Sequence, residues 1–238
     1  MKFSLNQIKT EMPLLIENNT FYLKGSGHRI KLGQYISKEF SLFLGMLWGD
    51  GWIINREKAL LKYQWRIGFV EDDNGIINKY ISLCKKLFNI NARICDRKTK
   101  IEIYFNSKIV YEILNRIFDF PDGEKKDRLR IPKQIINSKL LLKSFLKGIF
   151  STDGKFVVYN HYPRIGIDSA TYKLISDISE TMMLFNLSPT TYTWNRKNGN
   201  KLFGLYLNGY EQILNFNDNI GFLGEKDNKL KAFIKAPK

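Results

Sequence analysis

The chain has 238 residues, 44% of them hydrophobic, enough for one sizeable core or two small ones. Lysine and arginine number 38 against 23 aspartates and glutamates, a formal charge of +15 that favours a polyanionic partner, nucleic acid before an anionic membrane. With only Cys84 and Cys95 the composition excludes a disulfide framework and a cysteine-rich zinc site, and the opening residues lack an apolar run long enough for a signal peptide or membrane span; a reduced, intracellular chain of cytoplasm or organelle matrix is expected.

Residues 1–36 form a lead-in, in which "RIKLGQYI" loosely echoes "RLRIPKQI" at Arg128. The first strong periodic signal is "LFLGMLWGDGWI", Leu42–Ile53, where Phe43, Met46 and Leu47 have helical spacing and the helix is expected to end at Asp50. β-rich runs follow at Trp52–Asn55 and Tyr63–Val70; in the second, Trp65, Ile67 and Phe69 alternate with Gln64, Arg66 and Gly68, the signature of a half-buried strand. "NGIINKYISLCKKLF" reads as an amphipathic helix, Arg93–Arg97 and Lys100–Asn106 as two more strands, and a helix near "YEILN" at Tyr111 closes the unit. Phe120–Pro132, rich in Pro, Gly and charge, reads as a linker.

The order then repeats. Asp50 and Asp153 are 103 positions apart, each followed by glycine; "RIGF" at Arg66 returns as "RIGI" at Arg164, "LFNI" at Leu87 as "LFNL" at Leu184, and "IYFN" at Ile103 as "LYLN" at Leu205. "YEILN" at Tyr111 matches "YEQILN" at Tyr210, and "GEK" at Gly123 returns at Gly224. Matches recurring in one order imply two copies of one unit related by a pseudo-twofold axis. The expected architecture is α+β, two αββαββα halves at residues 37–119 and 138–238 joined by a linker at 120–137.

Gly45 and Gly49 lie four apart on one helical face, and Gly148 and Thr152 repeat the arrangement, so the two helices are expected to approach closely there. Gly51 and Gly154 are expected at left-handed C′ positions. That packing would bring Asp50 and Asp153 together at helix C-termini, where the dipole disfavours an acid unless a cation sits beside it. A lone Asp-Gly more often just opens a turn. Two at equivalent positions point instead to a divalent metal held by hard oxygen ligands, with Mg2+ the expected ion.

"FLGMLWGDG" (Phe43–Gly51) and "LKGIFSTDG" (Leu146–Gly154) resemble the paired motifs of single-chain LAGLIDADG homing endonucleases, over about residues 37–238. Trp48 and Ser151 stand where the family often has a polar or acidic residue, and Lys147 stands where it prefers a small one. The resemblance implies saddle-shaped antiparallel sheets on duplex DNA and metal-dependent cleavage of both strands at a long, rare, asymmetric target by a monomer. It also implies roles by position: Asp50 and Asp153 as metal-binding catalytic acids, Lys125 and Lys226 of the doubled "GEK" as cations beside the scissile phosphates, and Glu71 and Ser169 as residues positioning water or phosphate. Lys155 is a further candidate cation.

Alternation places Ile54, Arg56, Gln64, Arg66 and Tyr104 on the DNA face of the first half. Lys155, Val157, Tyr159, His161, Arg164 and Tyr206 share that parity in the second. Arginine and glutamine can pair bidentately with guanine or adenine. Arg93, Arg97, Lys98 and Lys100, and Arg196, Lys197 and Lys201, fall near strand ends and turns, where phosphate contact is expected. Two histidines are too few for an HNH centre, Asp122 and Glu124 are too close together for a PD-(D/E)xK site, and no nucleotide-binding loop is present. An intron RNA maturase and a DNA-binding regulator that no longer cuts are the alternative functions.

Overall fold

The computed structural model describes residues 14–17, 20–23, 29–31, 35–55, 65–98, 100–196 and 199–236. A small antiparallel sheet comes first, β1 (Leu14–Glu17), β2 (Thr20–Leu23) and β3 (Arg29–Lys31), paired in that order. These strands lie in the lead-in, where no strand pattern is evident in the sequence. Ile30 is fully buried, which ties β3 to the body of the protein.

The first half follows: α1 (Lys38–Asp50), β4 (Gly51–Asn55), β5 (Trp65–Glu71), α2 (Asn74–Phe88), β6 (Arg93–Asp96), β7 (Ile101–Asn106) and α3 (Lys108–Glu112), which runs on as a π turn over Ile113–Ile117. A short α4 (Lys133–Ile136) leads into the second half: α5 (Lys139–Thr152), β8 (Gly154–Tyr159), β9 (Tyr162–Ser169), α6 (Tyr172–Met182), β10 (Thr190–Asn195), β11 (Lys201–Asn208), α7 (Tyr210–Asn219) and α8 (Gly224–Lys235). Each half thus carries a four-stranded antiparallel sheet, ordered β4-β5-β7-β6 in one and β10-β11-β9-β8 in the other. Their registers correspond, Gly51 opposite Phe69 and Gly154 opposite Ile167.

The motif helices start from equivalent caps. Ser37 accepts from the Phe40 amide at 3.1 Å, and Ser138 from the Leu141 amide at 3.4 Å, satisfying one orphan donor of each first turn. α1 therefore begins five residues before the periodic signal at Phe43. α1 and α5 pack along their length, and the Ser41 hydroxyl donates across the interface to the Leu141 carbonyl at 2.6 Å. A Cβ on Gly45 would lie 2.1 Å from the Phe145 carbonyl oxygen, and one on Gly148 would lie 2.5 Å from that of Leu42. The two backbones touch directly, and only glycine leaves room.

Gly51 and Gly154 depart from expectation. Gly51 has φ −88° and ψ 166°, an extended conformation open to any residue, and Gly154 is not among the glycines of positive φ. They are needed for space: a Cβ on Gly51 would lie 2.6 Å from Leu47 Cα, and one on Gly154 would lie 2.2 Å from the Phe150 carbonyl oxygen. The chain turns from helix straight into strand, folding β4 and β8 back over the last helical turn.

Each sheet buries one face. Ile53, Ile67, Phe69, Ile103 and Phe105 pack under the first and Ile165, Ile167, Leu205 and Leu207 under the second. Phe69 stacks on Tyr80 of α2 with centroids 4.3 Å apart, and Tyr80 stacks on Phe43 of α1 at 5.3 Å, so one aromatic column joins sheet, outer helix and motif helix. No helix among the described residues is long and apolar enough to cross a membrane.

Candidate active site

α1 and α5 end side by side. Asp50 closes one and Asp153 caps the other. A Cβ on Gly49 would meet Thr152 Oγ1 at 2.0 Å and the Asp153 carboxyl carbon at 3.3 Å, so the Asp153 carboxylate lies against the residue preceding Asp50. Asp50 is half-buried and Asp153 is exposed. Lost hydration, opposed by the nearby lysines, leaves the Asp50 carboxyl above its ordinary value. The same loss, and then repulsion from Asp50, pushes Asp153 up to about 7.

The two lysines of the repeated "GEK" converge on these helix ends. Lys125 Nζ donates to the Trp48 carbonyl at 3.1 Å and to that of Gly49. Lys226 Nζ donates to the Ser151 and Thr152 carbonyls at 2.7 and 2.6 Å. Trp48 and Ser151 are equivalent positions, as are Gly49 and Thr152, so the pseudo-twofold holds at the level of single hydrogen bonds. Both ammoniums complement the negative helix ends. Burial holds both lysine pKa values below the ordinary range, and the two aspartates work against that shift.

The residues that depart from the motif pattern deliver these lysines. Trp48 is buried against Phe120 and Phe145, and its indole N–H donates to the Arg130 carbonyl at 2.8 Å, clamping the linker. Gly123 N–H donates to the Ile53 carbonyl at 3.0 Å and the Asn55 amide to Asp122 Oδ1 at 3.2 Å, so the segment before Lys125 is docked along β4. In the second half the Ser151 hydroxyl oxygen accepts from the Leu223 amide at 2.8 Å, three residues before Lys226. Lys226 lies in the first turn of α8 rather than beyond a last helix.

Glu71 and Ser169 separate. Glu71 is buried at the end of β5; its Oε1 accepts from the Asp72 and Asp73 amides, and its Oε2 has no protein partner. Burial leads the causes that push its pKa to about 7, and the Asp50 charge adds to it. Ser169 accepts from the Thr171 amide at 3.1 Å and serves its own turn.

The pair Asp50 and Asp153, with Lys125 and Lys226 beside it, fits a divalent cation. Two carboxylates whose charged forms are disfavoured by burial and mutual repulsion gain most from a positive ion between them. Among the described residues no three acidic, histidine or cysteine side chains converge as a metal cage.

The exposed sheet faces run outward from this cluster. Trp52 roofs Gly68 and Tyr206 roofs Gly166, since a Cβ on either glycine would fall within 2.3 Å of the ring. The Arg66 guanidinium lies 4.4 Å over the Tyr104 ring, and that of Arg164 lies 5.0 Å over the equivalent Tyr206. Arg164 also donates to Asn208 Oδ1 at 2.7 Å. Lys155 belongs to this face rather than to the aspartates: its Nζ sits 2.6 Å from Asp168 and 4.6 Å from the Tyr206 centroid. Arg97 is held by Glu102 at 2.6 Å. Arg93, Lys98, Lys100, Arg196 and Lys201 are exposed at the far strands and their turns. His161 leaves the alternation, because β8 ends at Tyr159 and a two-residue turn follows; Tyr162 takes the face position, and the sequence reading had passed over it. Arg56, Gln64 and Lys197 lie outside the described residues.

Residues 141–221 match the family model of a LAGLIDADG-like domain. The chain is 27% identical over 250 residues to the replication factor C small subunit of Methanocaldococcus jannaschii, covering 98% of this chain and 13% of that protein. It is 24% identical over 203 residues to the probable translation initiation factor IF-2 of Thermococcus kodakarensis, covering 84% of this chain and 16% of that one. The chain thus spans a small part of the curated relatives it matches. Among solved structures, mesophilic variants of the homing endonuclease I-DmoI superpose with a TM-score of 0.61 at 16% identity, over 78% of this chain and 96% of theirs. I-DmoI in complex with DNA and Ca gives 0.58 at 17% identity, over 78% and 90%. Full-length DUF199/WhiA from Thermatoga maritima gives 0.53 at 16% identity, over 85% and 63%. These likenesses establish a shared fold.

Proposed function

The chain belongs to the LAGLIDADG family, and we propose that it is a sequence-specific endonuclease that hydrolyses both strands of a long, asymmetric DNA target as a monomer with Mg2+. The observation that carries this reading is the doubled ending of the motif helices: an acid at each C-terminus and a lysine on each pair of terminal carbonyls. A fold kept only to bind DNA has no need of paired acids whose charged forms are disfavoured by burial. The curated relatives support homing. The matched stretch makes up only 13 and 16% of two proteins with unrelated names, which supports a mobile element over either protein's own activity.

Asp50 and Asp153 would hold the metal, which when bound supplies Lewis acidity and a lowered pKa for water. The chain's own residues do the rest. The sheet faces bind and orient the duplex so that one phosphodiester of each strand meets the helix ends. Lys125 and Lys226, anchored on carbonyls, keep a positive charge beside each phosphate as negative charge develops there. Glu71 Oε2, buried and unpartnered, can accept a proton or orient water beside Asp50. The two faces share Arg66 with Arg164 and Tyr104 with Tyr206 but differ elsewhere, as at Trp52 and Lys155, which supports an asymmetric target.

The test is cleavage of a supercoiled plasmid library with random inserts. Wild type with Mg2+ should linearise plasmids sharing one long sequence, while Asp50→Asn and Asp153→Asn should each abolish linear product and still bind the selected duplex. The second reading is a DNA-binding protein of the same fold that does not cut. Tight wild-type binding without cleavage would favour it, and binding confined to structured RNA would favour the maturase.

A further inference from the structure

The second sheet ends in an apolar ridge that cleavage does not use. Asn160 and His161, with φ 46° and 65°, form the tight left-handed turn of a two-residue hairpin. That turn projects the last strand pair, Tyr159 opposite Tyr162, whose side chains are 76% and 77% exposed. Val157, opposite Arg164, is 45% exposed. All three share the parity of Lys155, Arg164 and Tyr206, while the core takes Ile165, Ile167 and Leu205. An exposed apolar cluster of this kind marks a contact surface.

Its surroundings say what kind. The ridge continues a face that carries Lys155 and Arg164, on a chain of net charge +15, so its partner is a polyanion. Of the polyanions, duplex DNA presents an apolar group on its base edges: the thymine C5-methyl of the major groove, which uracil in RNA lacks. We propose that Val157, Tyr159 and Tyr162 read thymine methyl groups in the outer part of the half-site covered by the second sheet. This rests on the DNA-binding reading above, but not on cleavage. By repeat spacing Tyr159 and Tyr162 correspond to Arg56 and Gln64 of the first half. Arginine and glutamine as residue types suit hydrogen bonds to base edges rather than contact with a methyl group, so the thymine-reading end is assigned to one half-site only.

The probe is the duplex selected by the protein from a random library, remade with deoxyuridine in place of thymine at single positions. Deoxyuridine keeps the pairing edge and the O4 acceptor and loses only the methyl. Wild-type affinity should fall about fourfold for each methyl removed at the outer positions of one half-site, the burial of one carbon expressed as a ratio. The Tyr159→Ala/Tyr162→Ala variant, changed only at exposed residues, should bind the thymine and deoxyuridine duplexes alike. Tyr159→Phe should keep the discrimination. Equal wild-type affinity for both duplexes throughout both half-sites overturns the proposal while leaving DNA recognition standing. A Tyr159→Phe variant as impaired as Tyr159→Ala also overturns it, since the hydroxyl would then be touching phosphate. Recovery of no duplex from the library sinks the DNA reading itself, and this inference with it.

Discussion

Replacing Gly45 by alanine isolates the contact on which the whole site depends. The new Cβ would stand 2.1 Å from the Phe145 carbonyl oxygen, 2.9 Å from its carbon and 3.1 Å from Gly148 Cα, all backbone atoms of the facing helix. A carbon–oxygen contact settles at about 3.3–3.6 Å, so the two helices must part by more than an ångström. Alanine gains about 1 kcal/mol of helix propensity over glycine. Overpacking of a well-filled core costs about 1–3 kcal/mol, occasionally more, and backbone on both sides puts this site at the upper end. The net expectation is a loss of about 2 kcal/mol, or about 4–8 °C in Tm for a chain of this size. Gly148→Ala should behave alike, its Cβ meeting the Leu42 carbonyl oxygen at 2.5 Å and Met46 N at 2.8 Å. Because one parting of the helices accommodates both methyls, the double variant should lose less than the sum. Thermal melts of the three variants read this directly, and cleavage of the selected plasmid should fall further than stability, since parting the helices also parts Asp50 and Asp153. A Gly45→Ala protein more stable than wild type by the helix-propensity increment would refute the close backbone contact.

The remaining predictions concern the charges. Asp153, pushed up to about 7, binds a proton in the folded metal-free protein that the unfolded chain releases near pH 4. Its favourable contribution is therefore complete below about pH 4 and lost as pH rises through 7. In chelator, wild type should lose Tm between about pH 4 and 7 relative to Asp153→Asn, and Mg2+ should remove the difference; parallel profiles would contradict this. Lys125→Met and Lys226→Met should each accumulate nicked plasmid, with the affected strand differing between them, at a cost of about 2.7–4 kcal/mol in the barrier if each ammonium stabilises developing charge. Unchanged nicking with a salt slope flatter by about one unit would instead make them phosphate anchors. Asp73 accepts from Gly75 N on α2 at 2.7 Å and from Glu225 N at 2.6 Å, pinning the start of α8 next to Lys226. Asp73→Ala should thus reproduce the strand bias of Lys226→Met, and bias-free slowing would reduce Asp73 to a helix cap.

Duplication made most of this legible. Six short matches in one order placed two units, and the structure returns the αββαββα order in each, with equivalent caps at Ser37 and Ser138. The doubled "GEK" located both lysines, although nothing in a sequence says that a lysine will donate to carbonyls 77 and 75 residues away. Repeats expose what is placed twice. They are blind to what occurs once, and so the sheet at 14–31 and the unpartnered Glu71 Oε2 were not foreseen as such.

The misreadings share a physical cause. Gly51 and Gly154 were assigned a backbone angle because glycine after a helix usually marks one, whereas their role is set by Leu47 and Phe150 one turn back, a steric demand that no local pattern carries. His161 was carried along the strand because parity has no natural end; "YNHY" held the signal, since Asn at the first position of a two-residue turn tolerates positive φ and stops the count. Lys155 stands two residues from Asp153, yet Asp153 caps the helix while Lys155 lies on β8, whose exposed face leads to Asp168 and Tyr206. A motif thus marks where the paired acids sit, while cross-strand neighbours decide which nearby charges belong to the exposed sheet face instead.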